Sequence, residues 1–232
     1  MPAKNAIKPY LENGYYHLYN RGIEKRTIFL DDRDYKVFLH FLKRYLKTPS
    51  LDEVRPCWRS DLYKEIQLLA FCLMPNHFHL LVKQNTRTTI TEFMRRLGNA
   101  YVKYFNDRYE RVGGLFQGRY KGVLVESKID ILHISRYVHR NPLPGPTPLE
   151  NYPYSSYADY LERRNTSWVH PEEVIAYFKT AQTLNPDDKR TYQDFVENDD
   201  VGSEGAIKGF ALEEVPTRSD LVRSRPDPRG GR

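Results

Sequence analysis

Met74-Pro75-Asn76-His77-Phe78-His79-Leu80-Leu81-Val82 places two histidines one residue apart at the start of an apolar β-type run. Side chains alternate across a strand, so His77 and His79 leave one face together while Phe78 leaves the other. A second apolar run, Ile66 to Met74, lies just upstream, and Pro75-Asn76 is short enough to fold the two runs into an antiparallel pair. Two imidazoles converging on one spot can hold a divalent metal through neutral ring nitrogens, and a short polar turn leaves that end of the strand open to substrate. The same pattern also describes a half-buried strand with two solvated histidines, so other segments have to decide between the two.

Ser127 to Pro142 reads as a helix entered through Ser127, with Asp130 three residues on as in a capping box, and stopped at Pro142. His133, Tyr137 and Asn141 are spaced by four and line one stripe, while Ile131, Ile134 and Val138 supply an apolar stripe for packing. An amide oxygen from Asn141 suits a third ligand position, with His133 as the next candidate. A tyrosine nucleophile needs help, because its phenol has a pKa near 10, and a metal at His77 and His79 could give it by polarising a phosphate. In a chain with 18 tyrosines, Tyr137 also fits an amphipathic core tyrosine. Tyr101, Tyr104, Tyr109 and Tyr120 compete with it on composition.

The remaining elements interleave. Tyr15 to Asn20 reads as a strand, followed by a loop with Arg21, Gly22, Lys25 and Arg26. A helix from about Asp32 to Tyr45 is capped by Asp31 or Asp32, and its apolar positions recur at three and four. Thr91 to about Arg108 forms a second amphipathic helix that turns Arg95, Arg96 and Lys103 outward, Gly113-Gly114 breaks the chain, and Tyr120 to Val125 alternates as another strand. The order is that of an α+β fold with helices on an antiparallel sheet. Pro144, Pro146, Pro148 and Pro153 punctuate the end of this module. Ser155 to Leu161, Pro171 to Lys179 and Lys189 to Glu197 then read as a small helical extension. The expected division is residues 1–162, 163–198 and a tail 199–232 whose few large apolar residues point to disorder.

At 232 residues and 40% hydrophobic content the chain can pack one ample domain plus an appendage. The longest apolar stretch, Leu68 to Met74, is too short to span a bilayer, and Met1 to Lys8 lacks a secretory apolar region, so no membrane association and a cytoplasmic protein are expected. Cys57 and Cys72 lack redox or zinc spacing. The formal net charge is +6, and Asn85 to Gly145 alone carries eleven Lys or Arg against five acids, which accounts for that excess. Positive charge gathered between the histidine pair and Tyr137 suits a polyanionic partner.

Four segments in order, Tyr15-Tyr16-His17-Leu18-Tyr19-Asn20-Arg21-Gly22, Met74 to His79, Gly114-Leu115-Phe116-Gln117-Gly118-Arg119-Tyr120, and Arg136-Tyr137-Val138-His139-Arg140-Asn141-Pro142, carry a resemblance. Over roughly residues 10 to 162 the chain resembles the HUH single-tyrosine (Y1) transposases of the IS200/IS605 type, in particular the REP-associated tyrosine transposases. The resemblance implies a ferredoxin-like or RRM-like sheet. It implies that His77 and His79 are the metal-binding pair for Mg²⁺ or Mn²⁺, that Asn141 is the third ligand, and that Tyr137 attacks DNA to leave a covalent 5′-phosphotyrosine. The implied partner is single-stranded or hairpin DNA at a palindromic repeat, bound by a monomer or homodimer. Arg21, Lys25, Arg26, Arg119 and Lys121 are the basic residues nearest the motifs, with Arg95, Arg96, Lys103 and Arg140 as further DNA-binding candidates. A replication initiator or relaxase-type nickase shares the histidine pair, and a non-catalytic nucleic-acid-binding module shares the sheet.

Overall fold

Tyr15–Arg21 (β1) is the central strand on which the other elements assemble in the computed structural model, which describes residues 10–48, 61–143, 145–185 and 187–198. There follow Asp32–Leu46 (α1), Ile66–Met74 (β2), His77–Gln84 (β3), Thr89–Arg108 (α2), Lys121–Val125 (β4) and Lys128–Arg140 (α3). Tyr157–Tyr160 (α4), Glu172–Leu184 (α5) and Tyr192–Glu197 (α6) complete the described chain. The strands form one four-stranded sheet in the order β2-β3-β1-β4, with every pairing antiparallel. The succession β-α-β-β-α-β with this order is the ferredoxin-like arrangement, so the expected α+β architecture holds. The expected tail, residue Cys57 and Pro144 lie outside the described residues; Cys72 is a buried free thiol.

Alternation along the strands divides the core in two. Tyr16, Leu18, Phe78, Leu80 and Val82 pack with Phe38 and Leu42 of α1 and with Phe93, Leu97 and Tyr101 of α2 on one face. Leu81, Val125, Ala70 and Cys72 pack with Ile131, Ile134 and Val138 of α3, and with α4 to α6, on the other. β2 serves both faces through a register shift between Leu68 and Ala70, which lets neighbouring Leu69 and Ala70 face the same cluster.

Helix ends behave as their sequences dictate. The Asp31 carboxylate accepts from the Asp34 N–H at 3.2 Å to start α1, and Ser127 Oγ accepts from the Asp130 N–H at 3.0 Å to start α3. Between α1 and α2, the buried Asp34 carboxylate accepts from Tyr104 (2.9 Å), Tyr109 (2.8 Å), Arg108 (2.7 Å) and the Leu30 N–H (2.8 Å). A buried charge is tolerated there because every lone pair direction meets a donor.

The C-terminal helices hold α3 to the sheet. The segment before α4 runs beside the outer edge of β2, where Leu73 N–H donates to the Tyr154 carbonyl (2.9 Å) and Phe71 N–H to Ser156 Oγ (2.9 Å). His139 of α3 is fully buried, with Nε2 at 2.8 Å from Ser156 Oγ and Nδ1 at 3.1 Å from the Tyr192 hydroxyl. Arg136 and Arg140 donate to backbone carbonyls at the C-terminal end of α6, where the helix dipole favours cations.

Burial, with the Arg164 charge adding to it, pushes the His139 pKa down from 6.5 to about 3. Between those two values the unfolded chain binds a proton that the native state excludes, so native stability rises with pH across that window and is lost as pH falls. Urea unfolding followed from pH 7 to pH 4 is expected to show this loss. In His139→Gln the slope below pH 6.5 should be shallower by about 1.4 kcal/mol per pH unit.

Candidate active site

The register of β3 against β1 decides what gathers around the histidines. Directly paired residues share a face, so Tyr19 stands beside His79 and Arg21 beside His77, with His17 one step further along. This is the face under α3. His79 is fully buried, its ring stacked at 5.0 Å and 14° on His17, and His17 Nε2 lies 2.9 Å from His79 Nδ1. The other ring nitrogen, His79 Nε2, is buried with no hydrogen-bond partner. Burial first, then the neighbouring His77 and His17, hold the His79 pKa well below 6.5, so the ring is neutral and presents a lone pair.

α3 crosses above this row. Its Tyr137 ring meets His79 edge-on at 5.3 Å and His17 at 5.8 Å, and one turn later the Asn141 Oδ1 lies 2.8 Å from His77 Nε2. At its far side His77 Nδ1 lies 2.6 Å from Asn76 Oδ1, and the Asn76 amide is oriented by donating to the Lys25 carbonyl at 3.3 Å. With its proton on Nδ1, toward Asn76, a neutral His77 would present a lone pair on Nε2 to the oxygen of Asn141. In that tautomer His77 Nε2 and Asn141 Oδ1, 2.8 Å apart, turn two lone pairs toward one another. Cis ligands of an octahedral cation with ~2.1 Å bonds stand about 3 Å apart, so this pair and the bare His79 Nε2 suit a divalent cation. Among the described residues no group of three or more His, Cys, Asp and Glu is placed to hold a metal, and Asn141, an amide, falls outside those residue types.

The competing tyrosines have other employment. Tyr101 donates to the Ile28 carbonyl at 2.5 Å, Tyr104 and Tyr109 to Asp34, and Tyr120 shares a hydrogen bond with Tyr10. Burial pushes the phenols of Tyr101 and Tyr104 up, and that of Tyr109 up to about 12. His133, on the same stripe as Tyr137, packs its ring against Phe195 of α6 at 6.1 Å.

The basic residues divide by location. Arg21 leaves the sheet beside His77, its Nε donating to Gln117 Oε1 at 2.6 Å, and Lys121 is paired with Tyr19 on the same face. Arg119 is exposed in the loop entering β4, while exposed Lys25 and Arg26 follow Gly22 in a loop fastened to the hairpin turn. There Gly22 N–H donates to the Asn76 carbonyl at 2.8 Å and Ile28 N–H to the Pro75 carbonyl at 2.7 Å. Glu24 and Lys25 both take left-handed backbone angles, φ 53° and 59°. Arg95 and Arg96 are paired with Glu92, and Lys103 with Asp107, on α2, which packs on the opposite face of the sheet. Arg140 is tied to α6. Sequence reasoning missed His17 and Asn76 as partners of the histidine pair. The signal for His17 was its two-residue spacing from Tyr19 and Arg21; its neighbour across the sheet was not legible without the register.

Residues 11–141, more than half of the chain, match the family described as "Transposase IS200 like". Among solved structures, a REP-associated tyrosine transposase bound to a REP hairpin is 14% identical, over 71% of this chain and 95% of that one, with a TM-score of 0.49. A putative transposase from Deinococcus radiodurans R1 is 17% identical, over 58% of this chain and 95% of that one, with a TM-score of 0.37. No protein of curated function matches. Among the described residues no helix is long and apolar enough to cross a membrane.

A Cβ added at Gly22 would stand 2.2 Å from the Arg26 carbonyl oxygen, a backbone atom that cannot move alone. Gly22→Ala is expected to open the loop that carries Lys25 and Arg26 and to cost about 1–3 kcal/mol in urea unfolding. Unchanged stability would mean that the close approach of this loop to the hairpin turn is dispensable.

Proposed function

The chain belongs to the IS200-like transposase family, and from that membership we propose that it is a metal-dependent single-stranded DNA endonuclease and strand transferase with Tyr137 as nucleophile. The observation that carries this reading is the meeting of Tyr137 with His79, and of Asn141 with His77, at one end of one sheet face. His77, His79 and Asn141 would hold Mg²⁺ or Mn²⁺, which as a Lewis acid would polarise the scissile phosphate.

Tyr137 loses its phenolic proton and its oxygen bonds to phosphorus as the bond from phosphorus to the 3′ oxygen breaks. The products are a 5′-phosphotyrosine and a protonated 3′-hydroxyl. Because the phosphotyrosine keeps a phosphodiester-like linkage, another 3′-hydroxyl can reverse the step, and joining needs no nucleotide. The histidines and Tyr137 come from the same chain and already lie together, so one chain supplies the reacting groups in this arrangement. α3, pinned by His139, Arg136 and Arg140, fixes the direction from which the phenol approaches. Arg21, Lys25, Arg26, Arg119 and Lys121 surround the open end of the strands and would bind the backbone of hairpin DNA. Arg95, Arg96, Lys103 and Arg140, each already paired with acidic or carbonyl oxygens, would add to the positive field. Contacts of this kind fix position on the DNA and are strongly weakened by salt.

Tyr137→Phe removes one oxygen and little volume. With hairpin DNA and Mg²⁺, wild type should yield a protein–DNA adduct whose phosphotyrosyl peptide maps to α3, while Tyr137→Phe should bind the DNA and form none. An adduct on another tyrosine, or one persisting in Tyr137→Phe, would overturn the assignment. EDTA, His77→Ala and His79→Ala should each nearly abolish cutting while leaving salt-sensitive DNA binding largely intact. Asn141→Ala should weaken Mn²⁺ binding in titration calorimetry by roughly 10 to 100-fold, the range for a lost supporting group. Unchanged binding would shift the third-ligand role away from Asn141.

A further inference from the structure

His17 takes no part in the reaction described above, yet it is fully buried against the group on which that reaction depends. On β1 it pairs with Leu81 of β3, which makes His79 its diagonal neighbour on the same face. The two rings stack at 5.0 Å, and His17 Nε2 lies 2.9 Å from His79 Nδ1. A hydrogen bond between two neutral imidazoles needs one N–H and one lone pair, so the pair has two possible arrangements. Either arrangement leaves one buried N–H without an acceptor, on His17 Nδ1 if His79 donates and on His79 Nε2 if His17 donates, so only a cation at Nε2 separates them. If His17 donates, Nε2 has no lone pair for a cation. If His79 donates from Nδ1, its Nε2 carries a lone pair on the side of the ring away from His17.

We propose that His17 is a positioning residue that accepts the Nδ1 proton of His79 and so keeps the Nε2 lone pair directed into the site for a divalent cation. The proposal rests on the metal role given to His77 and His79. The other histidine is served in the same way by a different group: Asn76 Oδ1 accepts from His77 Nδ1 at 2.6 Å. Each ring is thus bound at its far nitrogen, while the near one meets Asn141 Oδ1 in His77 and no hydrogen-bond partner in His79, and outer groups of this kind fix the tautomer and orientation of ligating imidazoles. His17 differs from the usual carboxylate or carbonyl acceptor in being uncharged and aromatic. It can therefore occupy a buried place between Tyr19, at 5.0 Å, and Tyr137, at 5.8 Å, where an anion would require a counter-charge.

Full-length protein labelled with ¹⁵N-histidine, recorded by NMR with and without Mg²⁺, together with Mn²⁺ titration calorimetry, tests this on wild type, His17→Phe and His17→Gln. In the Mg²⁺-loaded wild type, His79 should carry its proton on Nδ1. His17→Phe keeps a ring in the stack but removes the acceptor, and should weaken Mn²⁺ binding by roughly 10 to 100-fold. His17→Gln, whose side-chain oxygen can accept the same proton, should recover part of that loss. Hairpin-DNA binding in EDTA should be unchanged in both variants. A proton on His79 Nε2 in the Mg²⁺-loaded protein, or wild-type Mn²⁺ affinity in His17→Phe, would overturn the proposal while leaving the metal role of the pair standing. Equal loss in both variants with a common fall in melting temperature would overturn it in favour of simple packing. Failure of the wild type itself to bind Mn²⁺ would instead remove the metal reading on which it rests.

Discussion

One imidazole, His79, is buried and neutral under α3 with a ring nitrogen that meets no hydrogen-bond partner, and much of the molecule around it holds that ring and its half-buried neighbour His77 in place. A buried lone pair without a partner is costly. It is maintained here because the rings cannot turn away: His79 is stacked on His17, and His77 is held between Asn76 and Asn141. The hairpin turn that supplies Asn76 is itself fastened by N–H groups of Gly22, Ile28 and Phe29 to the Pro75 and Asn76 carbonyls. The geometry of this end of the sheet therefore depends on the segment between β1 and α1 as much as on β3.

The second requirement is that Tyr137 arrive over the rings from a different element. A sheet face covered only by α3 would give that helix a narrow seat. The C-terminal helices widen it: His139 reaches across to Ser156 and Tyr192, and Ser135 lies 3.0 Å from the same Tyr192 hydroxyl. Because these contacts are buried and polar, they specify one angular setting of α3, whereas apolar packing alone tolerates small rotations. The basic side chains of α3 do their work on the same joint, with Arg136 and Arg140 turned to the carbonyls of α6.

What could be read from the sequence follows the range of the physics. Period-two and period-four spacing are local, so the strands, the caps at Asp31 and Ser127, the shared face of His77 and His79, and the stripe of Tyr137 and Asn141 were all legible. Sheet order and register are set by contacts between distant segments and were not, which is why His17 passed as one residue in a strand motif. Charge was legible as a sum but not as a place. The eleven basic residues between Asn85 and Gly145 divide between the two faces of the sheet, and only some of them stand near Tyr137.

The register shift between Leu68 and Ala70 separates the two halves of β2. Beyond it, toward Met74, the pairing with β3 runs unbroken to the turn, so Cys72 and Met74 stand opposite His79 and His77. A one-residue slip in this half would turn both histidines to the α1 and α2 side and Phe78 to the α3 side. The site consequently has no intermediate degrees of misalignment: an insertion or deletion inside the hairpin replaces its histidines with a phenylalanine outright, while the same change before the bulge can be absorbed where the pairing is already interrupted.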